Sequence, residues 1–261
     1  MIWVNGKEIE QEHFSAGELK IKLFGNGRSR VDLVWHYESD AEFFTVACIR
    51  EYYATQDCIL YLPYLPHARM DRVKNPEDVF TLKTFAHLIN SLNFERVYVW
   101  DAHSNVGPAL IDRCHDVSAL TWIEEAITQL GYTKDNICLF FPDEGAQKRY
   151  GTMFPDYTQA FGIKKRNWET GKIEGYMLVG EENIKDKCVL IIDDICSYGN
   201  TFTHAAGALI TAGAKEVNLY VTHCEDAISK GNIFKDGRIN KVFTTGSLVR
   251  SEETNQNLII V

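Results

Sequence analysis

Hydrophobic positions along the chain fall into short apolar runs separated by helix-length amphipathic stretches. The runs are Cys58–Leu62, Val97–Trp100, Ile137–Phe141, Val189–Ile192, Val217–Val221 and Val242–Thr244. A buried parallel strand reads as such a run, continuous rather than alternating. Helical patterning covers Ala41–Thr55, Asp78–Leu92, Leu120–Leu130, Thr201–Ala212 and Asp226–Phe234. Gly213 is placed to stop the fourth of these, with Lys215 just beyond. Alternating strand and helix predict an α/β protein with largely parallel sheets. The strands ending near Pro63 and Asp101 make one half, and those ending near Asp143, Asp194 and His223 make another. A boundary is expected within Asp116–Leu120. Asn167–Gly175, polar and with two glycines, is expected to be a mobile loop.

The stretch Lys187–Thr203, KCVLIIDDICSYGNTFT, carries the strongest chemical signal. An apolar run ends in two adjacent carboxylates, Asp193 and Asp194, followed by a small polar loop and a helix start at Thr201. Ligands of open α/β sheets bind outside the carboxyl ends of strands, where the next helix presents unpaired N–H groups. Two acids there suit ribose hydroxyls or a magnesium-bound phosphate, and the loop amides suit a 5′-phosphate. Taken alone, the acids could equally end the strand and cap the helix.

Other strand ends also carry polar residues. In YLPYLPHARMDR, Arg69, Asp71 and Arg72 follow a strand and two prolines, and guanidinium forks bind phosphate bidentately. In VWDAHS, His103 shares a turn with Asp101, which suits a metal or phosphate. In FFPDEGAQKR, Asp143 leaves a strand and Gly145 opens a helix.

Composition bounds the answer. The 261 residues are 45% hydrophobic and 24% charged, an ordinary globular balance that allows one large domain or two small ones. A net charge of -9 argues against a duplex nucleic-acid binder. Seven cysteines without C-x-x-C spacing, mostly in apolar runs, read as reduced core residues of a cytoplasmic protein. MIWVNGKEIE is not a signal peptide, and no apolar run approaches membrane-spanning length, so no membrane partner is expected.

Taken together the motifs resemble the ribose-phosphate pyrophosphokinases (phosphoribosyl pyrophosphate synthetases) over nearly the whole length. The family pattern P-Y-x-x-x-A-R-x-D-R appears as Pro63–Arg72, D-L-H-A as Asp101–Ser104, and P-D-x-G-x-x-x-R as Pro142–Arg149. The flexible-loop K-x-R is matched by Lys164 and Arg166, with Met177–Gly180 following, and V-L-I-I-D-D opens the ribose-phosphate loop. Ala212–Ala214 and Val221–His223 match what comes after that loop, and Phe14–Glu18 is similar to F-S-D-G-E.

The resemblance implies two phosphoribosyltransferase-like domains, each a largely parallel sheet flanked by helices. Residues 1–118 would be a pyrophosphokinase domain with the ATP-binding elements, and residues 119–261 would carry the ribose-phosphate loop. It also implies transfer of the β,γ-diphosphoryl group of ATP to the anomeric hydroxyl of a ribose, with Mg2+ and release of AMP. By position, Arg69, Asp71, Arg72 and His103 would bind ATP, while His103 and Asp143 would hold the metal. Lys164 and Arg166 would be catalytic, closing over the β-phosphate. Asp193, Asp194, Ser197, Tyr198, Gly199, Asn200 and Thr201 would hold the ribose-phosphate. Phe14 and Glu18 would contact ATP on a neighbouring subunit, which requires at least a dimer.

Departures from the family pattern change the expected acceptor. The loop D-D-x-x-D-T-x-G-T runs here D-D-I-C-S-Y-G-N-T, with Ser197, Tyr198 and Asn200 in place of Asp, Thr and Gly. Glycine permits close approach and positive φ, so Asn200 and the bulk of Tyr198 disturb a tight 5′-phosphate nest. Either a simple phosphate is held another way, giving ribose 5-phosphate, or the 5′ side continues into a nucleotide that Tyr198 stacks on. The clustering of changes on that wall favours ADP-ribose, the acceptor of a phage branch implied to rebuild NAD; the compartment would then be the host cytoplasm. A phosphoribosyltransferase shares the D-D loop but lacks the Pro63–Arg72 and Asp101–Ser104 elements, and a non-catalytic subunit would not need Lys164, Arg166, His103 and Asp143. Ala16 in place of the F-S-D-G-E acid weakens the adenine contacts. The changed Val73–Phe80 and the end at Val261, where the family continues into a helix, argue against the family's hexamer and allosteric phosphate site.

Overall fold

A computed structural model of the chain describes residues 1–25, 27, 29–166, 173–249 and 255–261. It divides into two compact units, Met1–Ser118 and Ala119–Val261. The first holds β1 (Ile2–Val4), β2 (Lys7–Glu8), β3 (Gln11–His13), β4 (Leu19–Ile21), β5 (Arg30–Trp35), α1 (Glu42–Tyr52), β6 (Asp57–Leu62), α2 (Thr81–Ser91), β7 (Arg96–Trp100), α3 (Val106–Leu110) and β8 (Cys114–Val117). Its sheet runs β2-β1-β5-β6-β7-β8, parallel from β5 to β8, while β3 and β4 form a separate hairpin.

In this unit β5 and β7 alternate. Val31, Leu33 and Trp35 of β5 and Val97 and Val99 of β7 are buried in one core with Val46 and Ile49 of α1 and Leu82, Phe85 and Ile89 of α2. The intervening residues lie half-buried or exposed on the other face. There Tyr61, Tyr98 and His115 stack across three strands at 5.2 Å spacings. The run Val97–Trp100 is therefore buried on one face only.

The second unit holds α4 (Leu120–Leu130), β9 (Ile137–Phe141), α5 (Glu144–Tyr150), β10 (Thr158–Arg166), β11 (Ile173–Val179), β12 (Cys188–Cys196), α6 (Asn200–Thr211), β13 (Glu216–Cys224), α7 (Ile233–Asp236), β14 (Val242–Thr244) and β15 (Leu258–Ile260). The sheet order is β11-β10-β9-β12-β13-β14-β15, with only β11 antiparallel to its neighbour. Both faces are covered. Phe140, Val189 and Ile191 pack with Ala205, Ala206 and Leu209 of α6, while Leu139, Phe141, Leu190 and Ile192 pack with Ile123 and Ala126 of α4. Buried on two sides, these strands read as continuous apolar runs, as a parallel sheet requires.

Several elements differ from the sequence expectation. The strand begun at Val189 runs on to Cys196, so Asp193 and Asp194 lie inside β12 rather than after it, and β13 likewise takes in His223. The helix expected over Asp226–Phe234 is a 3-10 turn, Asp226–Lys230, followed after a break by α7. The break falls at Gly231, which takes an extended conformation at φ -79° and ψ -170° and lies against the Tyr198 carbonyl. Of the expected mobile loop, residues 167–172 lie outside the described residues, and Ile173–Gly175 belong to β11. α6 ends where Gly213 takes φ +92°, open to glycine without strain. No helix among the described residues is long and apolar enough to cross a membrane.

Candidate active site

Polar side chains gather at the carboxyl ends of strands in each unit. In the first, the chain leaving β6 stays buried from Leu62 to Leu65, and its prolines restrict the backbone. His67 then takes φ +63°, a left-handed conformation costly for a residue with a Cβ. Its Nε2 lies 2.9 Å from Asp40 Oδ1, which anchors the turn. Beyond it Arg69 and Arg72 are exposed and Asp71 between them is buried. Arg72 Nε donates to Asp71 Oδ1 at 3.0 Å, and the Ser104 hydroxyl donates to the same carboxylate. Burial raises the Asp71 carboxyl, but those two hydrogen bonds and the charges of Arg72 and His103 outweigh it and hold the group below its ordinary value. Arg72, Asp71 and Ser104 thus meet, although they come from two different strand ends.

The turn after β7 is pinned just as firmly. Asp101 is buried at φ +43°, and its N–H donates to Val117 O at 2.9 Å. The next amide, Ala102, donates to Asp116 Oδ1 at 2.9 Å. Elsewhere in this unit, Phe14 and Glu18 close the turn between β3 and β4, with Phe14 N–H donating to Glu18 O and Gly17 at φ +86°. Phe14 is 56% exposed, and Glu18 lines a cleft of about 560 Å³ with His13, Glu38, Glu42 and Phe44.

In the second unit, Asp143 leaves β9 and caps α5, its Oδ1 accepting from Ala146 N–H at 3.1 Å. This is an N-cap carboxylate at a helix start, the place the helix dipole favours a negative charge. Asp193 is half-buried and accepts from Asp194 N–H at 3.0 Å. Asp194 is buried, and Arg149 Nη1 from α5 sits 3.5 Å from its Oδ2. The loop that follows has Gly199 at φ +80°, with Ile233 where a Cβ would project. Phe202 and Thr203 N–H groups both donate to Gly199 O at 3.0 Å as α6 begins. The amides ahead of these, Asn200 and Thr201, have no acceptor inside the helix, so α6 offers donors to an anion here. Tyr198 stands 54% exposed beside them.

Lys164 and Arg166 lie in β10, not in a loop. Lys164 pairs with Tyr176 and Arg166 with Ile173 of β11, with a register shift between Lys165 and Arg166. Cross-strand pairing with β11 extends the hairpin as far as both cations. Among the described residues no three His, Cys, Asp or Glu side chains converge as a metal cage. Mg2+ needs none when it is held by substrate phosphates, water and one or two protein donors.

Comparison with known proteins joins these clusters to one family. The phosphoribosyl transferase domain family matches residues 158–246. The ribose-phosphate pyrophosphokinase of Maricaulis maris is 31% identical over 183 residues, covering 69% of this chain and 56% of its own. That of Corynebacterium glutamicum is 30% identical, covering 77% of this chain and 62% of its own. The crystal structure of phosphoribosylpyrophosphate synthetase from Mycobacterium smegmatis superposes with a TM-score of 0.78 at 19% identity, covering 97% of this chain and 85% of that one. Over most of its length the chain is similar to the ribose-phosphate pyrophosphokinases.

The match spans less than two thirds of the length of these two curated relatives. Within the pyrophosphokinase pattern, the structure adds two residues that motif reading leaves without a role. Arg149 closes P-D-x-G-x-x-x-R and pairs with Asp194, and Ser104 closes the Asp101–Ser104 element and holds Asp71. For Arg149 the sequence signal was present, a lone arginine six residues after Asp143 on the same short helix. For Ser104 there was none.

Proposed function

We propose that this chain is an ATP-dependent diphosphotransferase that moves the β,γ-diphosphoryl group of ATP to the anomeric hydroxyl of a 5′-phosphorylated ribose. The observation that carries the reading is the presence, in one chain, of an arginine turn suited to polyphosphate and a strand–Asp-Asp–loop–helix suited to ribose-phosphate. The anomeric oxygen attacks the β-phosphorus, the bond from that phosphorus to the α,β-bridging oxygen breaks, AMP leaves, and the hydroxyl proton passes to solvent. Such a transfer needs placement and charge neutralisation more than covalent help from the protein.

On this reading Arg69 and Arg72 bind ATP phosphates, with Asp71 steadying Arg72 rather than touching the nucleotide. Asp193 and Asp194 hold the ribose hydroxyls, and the amides of Ser197–Thr201 take the 5′-phosphate. Lys164 and Arg166 neutralise charge on the moving diphosphoryl group. His103 and Asp143 would hold the magnesium–ATP complex, in which Mg2+ screens the phosphate charge. Phe14 and Glu18, on an outward hairpin, would meet ATP of a neighbouring subunit.

Ribose 5-phosphate is the acceptor the relatives' name supports. ADP-ribose is a second reading, favoured by the exposed Tyr198 ring on the 5′-phosphate wall, where a nucleotide base could stack. The test is to give purified protein, Mg2+ and ATP each sugar in turn, and to identify products by mass and phosphorus NMR. AMP and a 1-diphosphorylated sugar in equal amounts are expected. ADP or inorganic phosphate as the product, or no turnover dependent on either sugar, would overturn the proposal. Lys164→Ala is expected to lower turnover by orders of magnitude while ATP still binds.

A further inference from the structure

Asp71 ties the turn after β6 to the turn after β7. It is 8% exposed, and it accepts from Arg72 Nε at 3.0 Å and from the Ser104 hydroxyl. Ser104 Oγ also lies 3.4 Å from the Val106 N–H at the start of α3, a contact in which it can only accept. A hydroxyl has a single proton to give. With its lone pair toward Val106 and its proton on Asp71, the Ser104 rotor is fixed, and so is the carboxylate it serves. Asp71 in turn occupies the Nε edge of Arg72, whose side chain is 67% exposed. The terminal nitrogens of that guanidinium then face outward as a fork, the geometry that binds phosphate oxygens in pairs.

We infer that Ser104 is a positioning residue for the nucleotide: through Asp71 it fixes the direction in which Arg72 presents its guanidinium to a polyphosphate. Asp71 itself is a poor ligand for that anion, since its negative charge would repel phosphate and its oxygens already accept from two donors. The inference rests on the ATP-dependent activity proposed above. It adds that the affinity of Arg72 for phosphate is set by a residue 32 positions away, on a different strand end.

The experiment is steady-state kinetics of the full chain with Mg2+ and ATP as the varied substrate. Ser104→Ala is expected to raise KM for ATP about fivefold, with a smaller change in kcat. Ser104→Thr, which keeps the hydroxyl, is expected to restore KM. On an Arg72→Ala background, Ser104→Ala should add nothing, because it acts through the missing guanidinium. An unchanged KM in Ser104→Ala, or losses from Ser104→Ala and Arg72→Ala that multiply, would overturn the inference.

A second readout does not depend on turnover. By NMR, the Arg72 Nε–H of the substrate-free protein should exchange slowly with solvent, and faster in Ser104→Ala. Equal exchange in the two proteins would overturn the relay even in an active enzyme. A wild-type protein that makes no AMP, yet shows this difference in exchange, would instead overturn the proposed activity and leave the relay standing.

Discussion

A buried carboxylate needs a reason to be tolerated, and at Asp194 one reason is Arg149. Their atoms lie 3.5 Å apart, with the Asp194 side chain 8% exposed and that of Arg149 21% exposed. Removing one partner of a buried pair costs more than removing both, because an uncompensated charge stays out of water. Arg149→Met keeps most of the volume and removes the charge, so it should destabilise the protein by about 3 kcal/mol in urea unfolding. Adding Asp194→Asn to that variant should recover part of the loss. Arg149→Lys should recover less than the wild type, because an ammonium lacks the planar fork. If Arg149→Met unfolds at the wild-type urea concentration, the pair carries no structural weight and Arg149 serves only the ligand.

At the scale of elements, the loop from Ser197 to Asn200 is packed against Gly231, 33 residues downstream of Tyr198. A Cβ on Gly231 would lie 2.0 Å from the Tyr198 carbonyl oxygen, closer than any real contact. Gly231 has an ordinary φ of -79°, so the constraint is space and not backbone freedom. Gly231→Ala must therefore push the loop, and we expect KM for the ribose-phosphate acceptor to rise more than tenfold while KM for ATP stays near wild type. If both stay put, this loop is not the acceptor wall. The sequence misleads here because helical periodicity over Asp226–Phe234 is real, but the extended backbone at Gly231 interrupts it. Strands buried on both faces, such as β9 and β12, were legible as apolar runs that end in acids. The short strands β1 to β4 were not, because two or three residues carry no period, and neither were the contacts of Ser104 and Arg149, which join segments far apart in sequence.

At the scale of the whole molecule, the question is whether one chain supplies a complete site. Each unit has its own core, and each carries one cluster of polar strand ends. The hairpin of Phe14 and Glu18 points an exposed aromatic ring outward, and on the proposed function it completes the ATP site of another copy. Two inactive variants then distinguish a shared site from a self-contained one. Phe14→Ala spoils the hairpin a subunit lends, while Lys164→Ala spoils the site it owns. Mixed before assembly, a Phe14→Ala subunit keeps its own Lys164 and borrows an intact Phe14 from its Lys164→Ala partner. With random pairing into dimers, half the assemblies are mixed and each has one whole site, so about a quarter of wild-type activity should return. A mixture that stays as inactive as its parts would mean that Phe14 acts within its own chain, and light scattering on the same samples would tell that result from a failure to assemble.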